Sequence, residues 1–150
     1  MTGVYNVNSV EETWELATQF ARELKPGDVV CLEGDLGAGK TTFTQGLAAA
    51  LGVTGRVTSP TFCIVQEHRA PNCTNLLDRP NLLVHMDLYR LHGEDDVIAI
   101  GWEDYLFDGA VLVVEWPERA GTLIPSDAHH IEFRHLGAEA ADEMRRIEFK

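Results

Sequence analysis

The sequence predicts an α/β protein: a mostly parallel β-sheet flanked by helices, with an antiparallel hairpin at its C-terminal end, in a single domain over residues 1–150. Three observations predict it. Apolar runs of strand length, Val29 to Leu32, Leu82 to Met86 and Val111 to Val114, alternate with stretches of helical periodicity, as in a parallel sheet buried on both faces. Two of these runs end on a carboxylate, Asp87 and Glu115. The first leads into Gly34-Asp35-Leu36-Gly37-Ala38-Gly39-Lys40-Thr41, the G-x-x-x-x-G-K-[ST] pattern of a phosphate loop, followed by a helix-compatible run to Leu51. Together these point to the phosphate-loop NTPase fold.

Each element has a local reason. Ser9-Val10-Glu11-Glu12 has the capping-box form, so a helix starts there. Val10, Trp14, Ala17, Ala21 and Leu24 supply its apolar stripe, and Lys25-Pro26-Gly27 stops it. After the second helix Gly52 is placed to cap, and Pro60 holds Ser59 extended, giving a turn into a strand near Phe62 to Gln66. Ser59 and Thr61 are candidates for a switch-like loop facing phosphate, or simply turn residues. Two prolines and three asparagines between 68 and 81 predict a mobile loop. Glu94 to Phe107 predicts short helices broken at Gly101. His130 to Arg134 and Arg146 to Phe149 alternate with period two and form the expected hairpin around 137–143.

The chemistry expected at the loop follows from its residue types. Gly34, Gly37 and Gly39, with Ala38 between them, allow consecutive backbone N–H groups to point into one concavity, and the helix behind adds its positive end. Lys40 then reaches the β- and γ-phosphates, Thr41 gives its hydroxyl to magnesium, and Thr42 lies near the α-phosphate. A strand-end carboxylate completes a magnesium site. Glu115 is assigned to the metal and Asp87 to orienting the attacking water or to an indirect magnesium contact, and the reverse assignment stays open. Arg90 and Arg119 each follow a strand-end acid and are candidates for an arginine finger or a salt bridge; Trp116 is a candidate for stacking or packing. His85 reads as a hydrogen-bonded strand residue rather than a metal ligand. The Asn/Thr-Lys-x-Asp signature of guanine specificity has no lysine to build on between Lys40 and Lys150, which favours ATP.

Composition narrows the class further. Lys and Arg total 12 against 24 Asp and Glu, a formal charge of -12. Such a surface disfavours extensive direct contact with nucleic acid and suits a basic protein partner, while also serving solubility. The three cysteines, Cys31, Cys63 and Cys73, form no Cys-x-x-Cys pair and read as free thiols. With no signal-like or membrane-length apolar run, a soluble cytoplasmic protein without membrane association is expected.

Four segments in order, Leu32 to Thr42, Thr58 to Phe62, His85-x-Asp87-Leu88-Tyr89-Arg90-Leu91 and Val114 to Glu118, resemble the bacterial TsaE (formerly YjeE) proteins over nearly the whole chain. The resemblance implies an ATPase that joins the TsaB and TsaD proteins in making threonylcarbamoyladenosine in tRNAs that read codons beginning with adenine. TsaD performs the transfer in that family, so tRNA is met through the complex. Carried over, the loop binds ATP, Thr41 and Glu115 hold magnesium, and Asp87 supports hydrolysis. The family's adenine side involves the start of the first helix, here Val10 and Thr13. Departures are His68 where Tyr is frequent, Gly137-Ala138 where Gly-Arg is frequent, and a long loop at 69–81. Two other classes fit the loop alone: a small-molecule kinase, for which no arginine-rich lid is recognisable, and a nucleotide-binding assembly module without turnover.

Overall fold

A computed structural model describes residues 1–35, 37–58, 64–70, 81–136 and 144–150. In chain order the elements are β1 (Gly3–Val7), α1 (Val10–Ala21), β2 (Val29–Gly34), α2 (Lys40–Ala50), β3 (Val65–Arg69), β4 (Leu82–Asp87), α3 (Glu94–Ala99), α4 (Trp102–Phe107), β5 (Val111–Glu115), a 3-10 segment (Pro117–Leu123), β6 (His129–His135) and β7 (Arg145–Phe149). The strands form one sheet in the order β1-β7-β6-β2-β5-β4-β3. Its centre, β6-β2-β5-β4, is parallel, and the antiparallel strands β3 at one side and β7 and β1 at the other complete it.

Strand alternation divides the core into two layers. Val30, Leu32, Leu83, Val111 and Val113 face α1 and α2 with Phe20 and Phe43, whereas Cys31, Val84, Met86, Leu112 and Val114 face Val97 and Trp102 of α3 and α4. β4 from Leu82 to Met86 and β5 are buried on both faces, which is why they read as predominantly apolar strands. Burial, and then Glu33, push the Cys31 thiol up to about 12, so it is a packing residue rather than a nucleophile. Among the described residues no helix is long and apolar enough to cross a membrane.

The first helix starts as expected. Ser9 Oγ accepts from Glu12 N at 3.1 Å, and Glu12 Oε2 accepts from Asn8 N at 2.7 Å. The buried face, however, is Thr13, Leu16, Ala17 and Phe20, and Trp14 is 42% exposed. The buried stripe is thus rotated from the expected one, and α1 packs closely on α2 at Gly46. A Cβ there would lie 2.9 Å from Trp14 Cδ1, 3.0 Å from Trp14 Cα and 3.1 Å from Ala17 Cβ, so only a glycine lets the backbone and the partly exposed indole of α1 rest this closely on α2. Gly46→Leu should lower stability by roughly 1–3 kcal/mol, read as a shifted urea midpoint. An unchanged midpoint would show that the helices need not approach this closely.

Other boundaries differ too. β3 begins at Val65 and extends to Arg69, three residues beyond the expected end, because it pairs antiparallel with β4 from Val65↔Met86 to Arg69↔Leu82. Of the segment expected to be a mobile loop, His68 and Arg69 belong to β3, and residues 71–80 lie outside the described residues. β1 was not legible locally: it is a five-residue strand held by β7 at the sheet edge. Ser59, Thr61, Cys63, Cys73 and the 137–143 turn lie outside the described residues.

Candidate functional site at the carboxyl edge of the sheet

The parallel register aligns Asp87 of β4 with Glu115 of β5, and Glu115 with Leu32 of β2. Because residues 83, 85 and 87 share one strand face and 111, 113 and 115 another, both carboxylates come out on the α1/α2 side, beside the start of α2. The loop from Gly34 to Thr42 crosses this edge. At Gly34, φ is 143° and a Cβ would collide with the carbonyl oxygen of Phe133 in the neighbouring strand β6, so glycine is required by the sheet itself. Gly39 turns the chain into α2 with φ of 106° and accepts from Phe43 N at 3.0 Å.

A cleft of about 880 Å³ opens over this edge. The structure brings together almost all the residues expected from sequence: Val10 and Thr13 on α1, Gly34, Gly37 and Gly39 in the loop, Lys40, Thr41 and Thr42 at the start of α2, and Asp87 and Glu115 at the strand ends all line it. Ala38 does not. Its side chain is buried in the core and its amide donates to Asp35 O at 3.1 Å.

Lys40 and Glu115 meet at the centre. Lys40 Nζ donates to Gly34 O at 2.6 Å and lies 3.3 Å from Glu115 Oε1. Glu115 Oε2 is 2.8 Å from His85 Nε2. Burial alone would raise the Glu115 carboxyl, but the hydrogen bond and charge of His85, together with Lys40, hold it below its ordinary value, so it is an ionised acceptor. Asp87 is half-buried, and its Oδ1 accepts from Tyr89 N at 3.0 Å. Leu88 N donates to Glu115 O at 3.1 Å, tying the two strand ends together. Beyond them Trp116 takes φ of 58°, the positive value that a bulky residue rarely adopts, and its ring packs on Tyr89 with centroids 4.9 Å apart. Trp116 therefore packs within the rim while remaining 42% exposed.

The candidate arginines fall differently. Arg90 is exposed and Arg119 half-buried, and neither lines the cleft. Arg145, at the start of β7, does: its Nε donates to Gly37 O at 3.1 Å, and its stem covers Gly39. Sequence reading placed this residue just outside the C-terminal strand. The signal available was a pair of arginines, Arg145 and Arg146, opening the last strand of an acidic chain.

The donor set suits a divalent cation shared with an anionic ligand. Glu33, Asp35, Asp87, Glu115 and Glu118 line the cleft against the cations Lys40 and Arg145. Among the described residues no group of three or more His, Cys, Asp or Glu side chains could hold a metal unaided. Magnesium matches this pattern, since it is commonly held by one or two carboxylates, waters and the phosphates of a substrate.

Comparison with known proteins gives a consistent result. The family model described as threonylcarbamoyl adenosine biosynthesis protein TsaE matches residues 7–147. The chain is 41% identical over 139 residues to the tRNA threonylcarbamoyladenosine biosynthesis protein TsaE of Bacillus subtilis, covering 93% of this chain and 79% of that one. It is also 41% identical over 133 residues to the protein of the same name from Streptomyces coelicolor, covering 89% and 86%. A crystal structure of Bacillus subtilis YdiB superposes with a TM-score of 0.73 at 34% identity, covering 99% of this chain and 84% of that one.

Proposed function

The chain belongs to the TsaE family, and from that premise we propose that it is a magnesium-dependent ATPase supporting threonylcarbamoyladenosine formation in tRNA, acting with the TsaB and TsaD proteins in the cytoplasm. The observation that carries this reading is the meeting of Lys40 with Glu115, beside Asp87, where a glycine loop crosses the carboxyl edge of a parallel sheet.

The backbone amides of the Gly34–Thr42 loop and the first turn of α2 cradle the phosphates. Lys40 exchanges Gly34 O and Glu115 for the β- and γ-phosphate oxygens, and Arg145 fixes the crest of the loop through Gly37 O. Thr41 and Glu115 would hold magnesium, which would supply positive charge to the phosphates in a carboxylate-rich cleft. Asp87 orients the attacking water, its Oδ1 anchored by Tyr89 N. Val10 and Thr13 form the adenine side of the cleft.

Ion-pair partners for the γ-phosphate beyond Lys40 and Arg145 are scarce in the described cleft, and Arg90 and Arg119 lie away from it. A slow basal rate is the expectation for the chain alone. Adding TsaB and TsaD should raise the rate of phosphate release about tenfold or more, as expected when a partner completes the stabilisation of transferring charge. Equal rates with and without them would count against a partner-dependent ATPase, and a phosphorylated small molecule among the products would point instead to a kinase.

A further inference from the structure

The interior of β4 carries one residue that core packing does not explain. Leu82, Leu83, Val84 and Met86 bury apolar side chains, whereas His85 buries an imidazole with no exposed surface. Its Nδ1 has no hydrogen-bond partner among the described residues. A leucine at this position would avoid the desolvation of an unpaired nitrogen, so the imidazole needs a reason beyond filling space.

That reason lies at the other nitrogen. An ionised carboxylate only accepts, so His85 Nε2 carries the hydrogen and donates it to Glu115 Oε2 at 2.8 Å. The two oxygens of Glu115 are thereby divided. Oε2 is turned inward to β4, and Oε1, 3.3 Å from Lys40 Nζ, is turned to the loop. Resting on the reading that Glu115 holds magnesium, we propose that His85 is a positioning residue that pins Oε2, so that Oε1 is presented to the cation when Lys40 leaves for the phosphates. His85 touches neither nucleotide nor metal. It keeps the carboxylate from following the lysine ammonium or rotating about its last bond, the role that hydrogen-bond partners of ligating carboxylates play elsewhere.

The test is binding of a fluorescent ATP analogue, mant-ATP, titrated with magnesium chloride and repeated in EDTA. His85→Leu keeps the volume and removes the donor. It should raise the magnesium concentration giving half-maximal enhancement of nucleotide affinity by roughly tenfold or more, while metal-free affinity stays within about twofold. His85→Gln, whose amide can reach the place of Nε2, should restore the magnesium dependence to within about threefold of the parent. If His85→Leu does not fold, His85→Asn, polar but too short to reach Glu115, carries the same expectation. A donor-less variant with the parent's magnesium dependence, or one weakened equally with and without metal, overturns the positioning role. The two levels separate through Glu115→Gln. If that variant loses the magnesium dependence while His85→Leu keeps it, the role of His85 alone falls. If Glu115→Gln keeps it as well, the assignment of Glu115 to the metal falls and takes the proposal with it.

Discussion

Lys40→Ala should weaken ATP binding by on the order of a hundredfold, because truncating one partner of a close charge pair costs about 2–5 kcal/mol. The lysine is already poised where the effect would be felt. Its ammonium sits between Gly34 O and Glu115 Oε1, within reach of any phosphate seated on the loop amides. The substitution acts twice, since it removes a cation from a cleft whose charged lining is mostly carboxylate and leaves Glu115 with His85 as its remaining partner. Calorimetric titration with ATP and magnesium reads the loss directly. Affinity equal to that of the unmodified chain would remove Lys40 from the phosphate site and, with it, the basis for an ATPase.

Glu115→Gln separates metal use from nucleotide capture. Turnover should fall by on the order of a hundredfold or more, since a metal's charge stabilisation in such transfers is worth several kcal/mol and the amide is a poor replacement for the carboxylate. Binding of ATP in EDTA should persist or tighten, because Lys40 is released from its ion pair. The variant also changes the response of stability to pH. The Glu115 carboxyl is held below its ordinary value of 4.5 in the folded protein, so its contribution is present above that value and is lost as pH falls through the lower folded value. Glutamine has no such dependence, and the chain carrying it should lose less stability on acidification. Unaltered turnover would transfer the metal to Asp87, the alternative that sequence alone leaves open.

Much of this arrangement was legible before any coordinates. Leu82 to Asp87 and Val111 to Glu115 stand out as strands because both their faces are covered, and Gly101 does separate two short helices, with φ of 100° at the start of the second. Lys40, Asp87 and Glu115 could be gathered into one site because parallel strands end on a common edge. What escaped was set by contacts distant in sequence. The phase of α1 depends on how it packs against α2, where Gly46, roughly thirty residues on, meets Trp14 and Ala17. β1 has little pattern of its own and exists through β7. The pairing of His85 with Glu115 requires knowing that β4 and β5 are neighbours, and Arg145 reaches Gly37 only because β6 lies between β7 and β2.

The pairing of β1 with β7 joins strands far apart in sequence, with Gly3 opposite Phe149. During synthesis β1 emerges well before β7, and that pairing forms only once β7 has left the ribosome. Arg145, whose contact with Gly37 braces the glycine loop, arrives in that same strand, β7. The cleft is thus completed late, and a polypeptide that stops short of β7 carries the loop motif without its brace.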